Sequence, residues 1–134
     1  MSTAQKAQND RVLRLAWQSR ERSPRGAREM VARVVSTEPR RADAWHALAL
    51  LDLAENEHKY AVFALRQALA LEPDNLDIRV AYAELLIDLL DYKGALAELK
   101  LCCQRDPQMR HPSGVRARVV IVRMQKEIKR RLQS

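Results

Sequence analysis

Histidine and cysteine are the residue types in this chain that could ligate a metal ion or act as nucleophiles. The chain has three histidines, His46, His58 and His111, and two adjacent cysteines, Cys102 and Cys103. A zinc site needs such residues in pairs a few positions apart, and neither set has that spacing. We therefore predict no metal site, and we expect the cysteines to be reduced, helical and partly buried.

The sequence also lacks the motifs of common catalytic sites. Gly26, Gly94 and Gly114 stand alone, so no glycine-rich loop is available to hold a phosphate. No Ser-His-Asp or Cys-His arrangement is suggested, although such sets assemble in space and one sequence does not exclude them. The sequence therefore predicts a protein that is not an enzyme and that binds no cofactor.

A repeat of fixed length determines which elements must position any functional residue. Three prolines lie 34 residues apart, each follows an acidic residue, and an alanine precedes each by twelve residues. These triplets are Ala27, Glu38 and Pro39; Ala61, Glu72 and Pro73; and Ala95, Asp106 and Pro107. Such a period is typical of stacked helical units.

Apolar residues within each period recur at helical spacing, as at Leu48 and Leu51 and again at Ala61 and Leu65. A short polar turn separates the two stripes, so each unit is predicted to be an antiparallel pair of helices. Proline ends the second helix, and Asn75 offers a cap for the next one. We expect a flexible segment at 1–7, units at 8–41, 42–75 and 76–109, and a basic capping helix at 110–134.

The C-terminal segment departs from this period. Ser113 is a candidate N-cap, and the apolar residues that follow it fall at roughly helical spacing: Val115, Val119, Val122, Ile128 and Leu132. Its β-branched run lowers helix propensity, but a lone strand would have no partner in a helical chain. We therefore favour a helix that covers the last repeat.

The net charge of +7 is unevenly distributed along the chain. Residues 1–41 carry 10 basic and 4 acidic residues, 42–109 carry 6 and 12, and 110–134 carry 8 and 1. This layout indicates either partners selected by charge or chains that associate end against middle, and a solvated arginine-rich surface is the alternative. Without a secretory signal or an apolar run long enough to span a bilayer, a cytoplasmic protein with no membrane contact is expected.

The repeat resembles the tetratricopeptide repeat (TPR) family, whose pattern is W-x2-L-G-x2-Y, then A-x3-F, then P. The second unit supplies Trp45, Leu48, Ala49, Asp52, Ala61, Leu65 and Pro73. The third supplies Arg79, Tyr82, Ala83, Leu86, Ala95, Leu99 and Pro107. The first is degenerate, with Arg11, Arg14, Leu15, Gln18, Ala27, Val31 and Pro39. Asp52 and Gln18 stand where the family has an aromatic residue.

The resemblance implies an all-α solenoid of three antiparallel helix pairs with a C-terminal capping helix and a concave groove. By repeat phase, the groove would be lined by Asn9, Val12, Ala16, Ser19 and Arg20; by Asp43, His46, Leu50, Leu53 and Ala54; and by Asp77, Val80, Glu84, Ile87 and Asp88. Val12 and Ala16 stand where carboxylate-binding members have Lys and Asn, which argues against that mode of binding.

The groove is expected to be apolar in its middle and to suit an extended or helical peptide with hydrophobic anchors. Alternatively, Leu50, Leu53 and Ile87 pack helix on helix. We predict a non-catalytic protein-binding module, acting as a small adaptor or as a secretion-type chaperone, with homo-oligomerisation as a further possibility. The rival partner is nucleic acid, bound through the basic ends; Trp17 is the one aromatic residue there that could stack on a base.

Overall fold

Seven α-helices and no strands make up the computed structural model, which describes residues 1–134. The helices are α1 (Thr3–Ser19), α2 (Pro24–Thr37), α3 (Ala42–Ala54), α4 (His58–Leu71), α5 (Leu76–Asp88), α6 (Tyr92–Arg105) and α7 (Pro112–Gln133). None of them is long and apolar enough to cross a membrane. The predicted fold class, three helical pairs followed by a capping helix, is confirmed.

The chain divides into two compact units. The first, Met1–Glu72, contains the pairs α1–α2 and α3–α4, and α2 also packs on α3. The second, Pro73–Ser134, contains the pair α5–α6, and α7 packs on both of these helices. Each unit has a core of its own, and the core of the second includes Val80, Leu99, Cys102 and Val120.

The recurring alanine and proline have the roles that their spacing predicts. Ala27, Ala61 and Ala95 are all fully buried. Their small side chains allow the two helices of each pair to approach closely. The helices α2, α4 and α6 end at their C-caps Glu38, Glu72 and Asp106, directly before the three prolines. Proline has no N–H and disfavours helical geometry in the residue before it, so each unit ends there.

Side-chain caps explain two differences from the predicted helix starts. Helix α1 begins at Thr3 and not near Gln8, because the Ser2 hydroxyl accepts a hydrogen bond from the Gln5 N–H. The expected flexible segment is therefore helical from residue 3 onward. Helix α7 is capped by His111, whose Nδ1 accepts from the Ser113 N–H; Ser113 is not the cap. The predicted cap at Asn75 is confirmed.

Both cysteines are free, with Cys102 buried and Cys103 half-buried, in agreement with the sequence. Burial raises the pKa of the Cys102 thiol to about 11. The thiolate is the reactive form of cysteine, so Cys102 is an inert part of the core at neutral pH.

The two turns that join α3 to α4 and α5 to α6 have the same conformation but different residues at the left-handed position. Asn56 has φ 59° and Leu90, 34 residues later, has φ 64°. In both turns the next N–H bonds a carbonyl five residues earlier, Glu57 to Asp52 and Asp91 to Leu86, each at 2.8 Å. Asparagine tolerates this conformation, whereas for leucine it is strained.

Replacing Leu90 with Asn, which copies the other turn, is expected to stabilise the chain by about 1 kcal/mol by removing this strain. The Leu90 side chain is 56% exposed, so little apolar burial is lost. Thermal unfolding followed by circular dichroism should show a rise of a few degrees. The reverse change, Asn56→Leu, is the matched control and should lower the midpoint. A Leu90→Asn midpoint at or below that of the parent chain would contradict this account.

Candidate protein-binding surface

In the first unit, α1 and α3 line two adjoining depressions that we call the α1–α3 surface. The first has a volume of about 450 Å³, and its walls include Asp10, Leu13, Asp43 and Ala47. The second, of about 370 Å³, is lined by Arg20, Leu50 and Ala54 among others. Trp17 lines both depressions and joins them. The surface is therefore a shallow path with an aromatic side chain at its middle.

Trp17 is exposed and yet held in place. Its side chain is 41% exposed, and the Arg20 guanidinium lies 4.1 Å from the ring centroid. The same guanidinium donates a 2.6 Å hydrogen bond to the Trp17 carbonyl oxygen. This cation–π contact fixes the indole without burying it. A rigid, exposed tryptophan beside leucines is typical of the residues that dominate the energy of protein interfaces.

A cluster of charges marks the end of the surface that lies beyond Leu13. Arg41 makes ion pairs with Asp10 at 2.6 Å, Asp43 at 2.8 Å and Glu38 at 3.3 Å. The hydrogen bonding that Arg41 donates to Asp43 is the largest of the effects that raise the pKa of Arg41. With Arg14, which lines the same depression, the three carboxylates outnumber the cations by one, so this end can accept a basic group on a bound partner.

The structure brings together part of the predicted groove. Arg20, Asp43, Leu50 and Ala54 line the α1–α3 surface. Val12, Ser19, His46 and Leu53 are half-buried and line neither depression. Contact of these four residues with a partner therefore remains a prediction.

Two predicted groove residues of α1 lie instead in the core. Ala16 is fully buried, and Asn9 is buried with its amide donating to the Thr37 hydroxyl and to the Glu38 carboxylate. Asn9 therefore faces the end of α2, and neither residue lines the surface. The residues of α1 that line the surface include Asp10, Leu13, Arg14 and Trp17, which have i, i+3, i+4, i+7 spacing. That spacing is the signal in the sequence that could have found them.

In the second unit, the predicted groove face of α5 is covered by α7. Val80 is buried in a cluster with Ala117 and Val120, and Ile87 packs against the same cluster. Arg116 makes a 2.7 Å ion pair with Glu84. Helix α7 therefore caps its own chain as predicted. Val80, Glu84 and Ile87, which were expected to line an open groove, contact α7 instead.

The other two polar positions of α5 in the predicted groove are Asp77 and Asp88. The Ser113 hydroxyl hydrogen-bonds the Asp77 carboxylate, which adds a polar contact between the start of α7 and α5. Asp88, at the end of α5, is exposed and lines a depression together with Arg123 and Lys126 of α7. Its role in partner binding stays a prediction.

The face of α7 that makes this contact is also not the predicted one. Its buried residues are Gly114, Ala117, Val120 and Met124, because small side chains near the start of α7 allow close packing on α6. The predicted stripe points outward instead: Val115, Val119, Val122 and Leu132 are 42%, 47%, 49% and 82% exposed. Only Ile128 of that stripe is half-buried.

Comparison with known protein families and structures bears on this architecture. The family model described as "Anaphase-promoting complex, cyclosome, subunit 3" matches residues 25–102. No curated protein sequence matches the chain. Similar folds are found among solved structures of TPR domains and of secretion proteins.

Three solved structures illustrate the likeness. The Yersinia enterocolitica type III secretion chaperone SycD, in complex with a peptide of the translocator YopD, has a TM-score of 0.76 at 13% identity, with 91% of this chain and 92% of that chain covered. The Sgt2 TPR domain from Aspergillus fumigatus has a TM-score of 0.79 at 15% identity, with 95% of this chain and 83% of that chain covered. Pseudomonas aeruginosa pilF has a TM-score of 0.80 at 22% identity, with 95% of this chain and 56% of that chain covered. At these identities the likeness is one of fold.

Proposed function

Because this chain belongs to the family described as anaphase-promoting complex subunit 3, a family of TPR-type helical repeats, we propose that it is a non-catalytic module that binds another protein through its α1–α3 surface. The observation that carries this proposal is Trp17, exposed at the junction of two depressions and fixed by Arg20. The bound segment would place apolar side chains against Trp17 and Leu50. It would place a basic residue beside Asp10 and Asp43.

The biological role that we propose is that of a small cytoplasmic adaptor or chaperone holding such a segment. SycD, whose structure contains a peptide of the translocator YopD, has a similar fold over most of both chains. That likeness supports a peptide as the bound species here. Binding of a nucleic acid through the basic ends is the alternative, and it predicts a steep loss of affinity with salt, which contact with an apolar surface does not.

Replacement of Trp17 by Ala tests this function. Peptides selected from a random displayed library on the parent chain should carry apolar anchors with a basic residue near one end. Their affinity should fall about 30-fold in the Trp17→Ala variant, since truncating a dominant interface residue costs about 2 kcal/mol or more. Fluorescence anisotropy of the labelled peptides measures this loss, and the tryptophan emission of the parent chain should shift to shorter wavelength on binding.

Leu15→Ala is the matched control, because Leu15 is a 54% exposed apolar residue of the same helix that lines neither depression. It should leave peptide affinity unchanged. Equal affinity of the parent chain and the Trp17→Ala variant for every selected peptide would reject the α1–α3 surface as the binding site.

A further inference from the structure

The outward face of α7 carries a regular row of side chains that nothing in the chain covers. Val115, Val119, Val122, Lys126 and Lys129 follow one another at alternating intervals of four and three residues. All five are exposed, whereas the opposite face of α7 is packed on α5 and α6. We call these five residues the outer row. A spacing of four and three is the pattern by which one helix packs against another in a coiled coil.

The charge along this row changes from one end to the other. The first three positions are valines and the last two are lysines, with Arg123 beside them. The other cations of α7 have partners. Arg116 pairs with Glu84, and Arg130 and Arg131 both pair with Glu127, while Arg118 donates to two backbone carbonyl oxygens. No carboxylate lies within ion-pair distance of Arg123, Lys126 or Lys129. Lys126 and Arg123 line a depression that also contains Asp88 and Glu127, but neither carboxylate reaches them, so the basic end of the outer row can pair with an external anion.

A second copy of the chain does not complement this row. Two α7 helices in parallel would place Lys126 and Lys129 against their own copies, and two antiparallel helices would place lysines against valines. The exposed acidic residues of 42–109 lie at helix ends or in turns, as at Glu55 and Asp88. Glu29 is exposed in the middle of α2, but Arg25 and Arg33 stand one turn to either side of it. None of these helices presents a matching row of apolar and acidic side chains.

Phosphate-rich and lipid surfaces also match the row less well than a protein does. Helix α7 contains no aromatic residue that could stack on a base. Helices that lie in a membrane surface bury large side chains such as Trp, Phe or Leu, and the outer row offers three valines. An acidic, amphipathic helix supplies both apolar side chains and carboxylates at the required spacing.

We propose that the outer row of α7 docks an amphipathic helix of another protein, in which apolar residues at intervals of four and three pack on Val115, Val119 and Val122 and carboxylates pair with Lys126 and Lys129. This docking site lies on the second unit and does not include the α1–α3 surface. The chain would then bind one segment through α1 and α3 and a second, acidic segment through α7.

The test uses a synthetic, end-blocked, labelled helical peptide of about 20 residues, long enough to populate a helix. Three leucines and two glutamates occupy its contact positions, and a second peptide carries lysines in place of the glutamates. The full chain should bind the glutamate peptide about tenfold more tightly than the lysine peptide, since each exposed ion pair contributes modestly. Anisotropy at physiological salt measures both affinities.

The double variant Lys126→Glu/Lys129→Glu should reverse this preference and bind the lysine peptide more tightly. Trp17→Ala should leave both affinities unchanged, which separates failure of this proposal from failure of the proposed function. Equal binding of the two peptides, or the same preference in the double variant, would overturn the proposal. Tighter binding to phosphatidylcholine–phosphatidylserine vesicles or to a DNA duplex, lost in the double variant, would overturn it in favour of a lipid or nucleic-acid partner.

Discussion

Replacing Arg28 with Met is expected to destabilise the chain by about 2 kcal/mol at neutral pH, because it leaves the Asp52 carboxylate buried without its counter-ion. Asp52 is 1% exposed, and its Oδ1 accepts a 2.5 Å hydrogen bond from Arg28 Nε, while its Oδ2 has no hydrogen-bond partner. The Arg28 side chain is 34% exposed, so solvent lowers the effect below that of a fully buried pair. Methionine retains an unbranched stem beside Tyr60, whose ring Arg28 covers.

The loss of stability should depend on pH. Burial raises the pKa of Asp52 above its ordinary value, and the hydrogen bond and charge of Arg28 oppose this rise. Without Arg28 the pKa in the folded chain rises further. A carboxyl group whose pKa is higher folded than unfolded lowers stability above that folded pKa, and the penalty disappears as the pH falls toward the unfolded value. The difference between variant and parent should therefore shrink from pH 7 toward pH 4.

Urea unfolding at both pH values measures this difference in the free energy of unfolding. Asp52→Asn is the companion variant, and it should cost less, because the Arg28 left behind can still reach water. Adding Asp52→Asn to Arg28→Met should restore part of the lost stability, since the buried charge is then gone. An Arg28→Met effect that is independent of pH, or that is unchanged by Asp52→Asn, would show that the charge of Asp52 is not its cause.

The fold could be predicted from the sequence because the features that specify it are local and recur. A proline that ends a helix and an alanine that lets two helices approach act on their own immediate surroundings, and both recur at 34 residues. Asn75 caps α5 through a contact three residues away, and it was predicted correctly. The starts of α1 and α7 could not be predicted in this way, because Ser2 and His111 lie outside the repeat and their capping contacts depend on the path of the backbone.

The candidate site was predicted less completely because its residues depend on how helices rotate against each other. The amide of Asn9 bonds residues at the end of α2 and Ala16 is buried, whereas Leu13 and Trp17 line the surface. The face of α7 was misassigned for a related reason. Hydrophobicity favours the valines as the buried residues, but close packing selects the smaller Gly114 and Ala117.

Gly114→Ala is expected to destabilise the second unit by about 2 kcal/mol, because α7 starts in contact with a carboxylate that a methyl group would displace. A Cβ at position 114 would collide with the Asp106 carboxylate and would lie 2.7 Å from the Asp106 Cβ. Asp106 accepts hydrogen bonds from the Arg110 and His111 N–H groups, both at 2.9 Å. Arg118 ties the same junction together by donating to the carbonyl oxygens of Asp106 and Gly114.

The consequence of this clash reaches beyond the junction. If Asp106 moves, the junction loses two hydrogen bonds at the start of α7, and the packing of Val120 of α7 against Val80 of α5 weakens. Chemical denaturation should report the loss of stability, and light scattering should report association through the exposed core.

Gly26→Ala is the matched control, because the added methyl group meets only the Ser23 side chain, which makes no capping hydrogen bond and can rotate away. Alanine is the better helix former by about 0.5–1 kcal/mol, so Gly26→Ala should be neutral or stabilising. Equal stability of the two variants would mean that α7 does not depend on the close approach at Gly114.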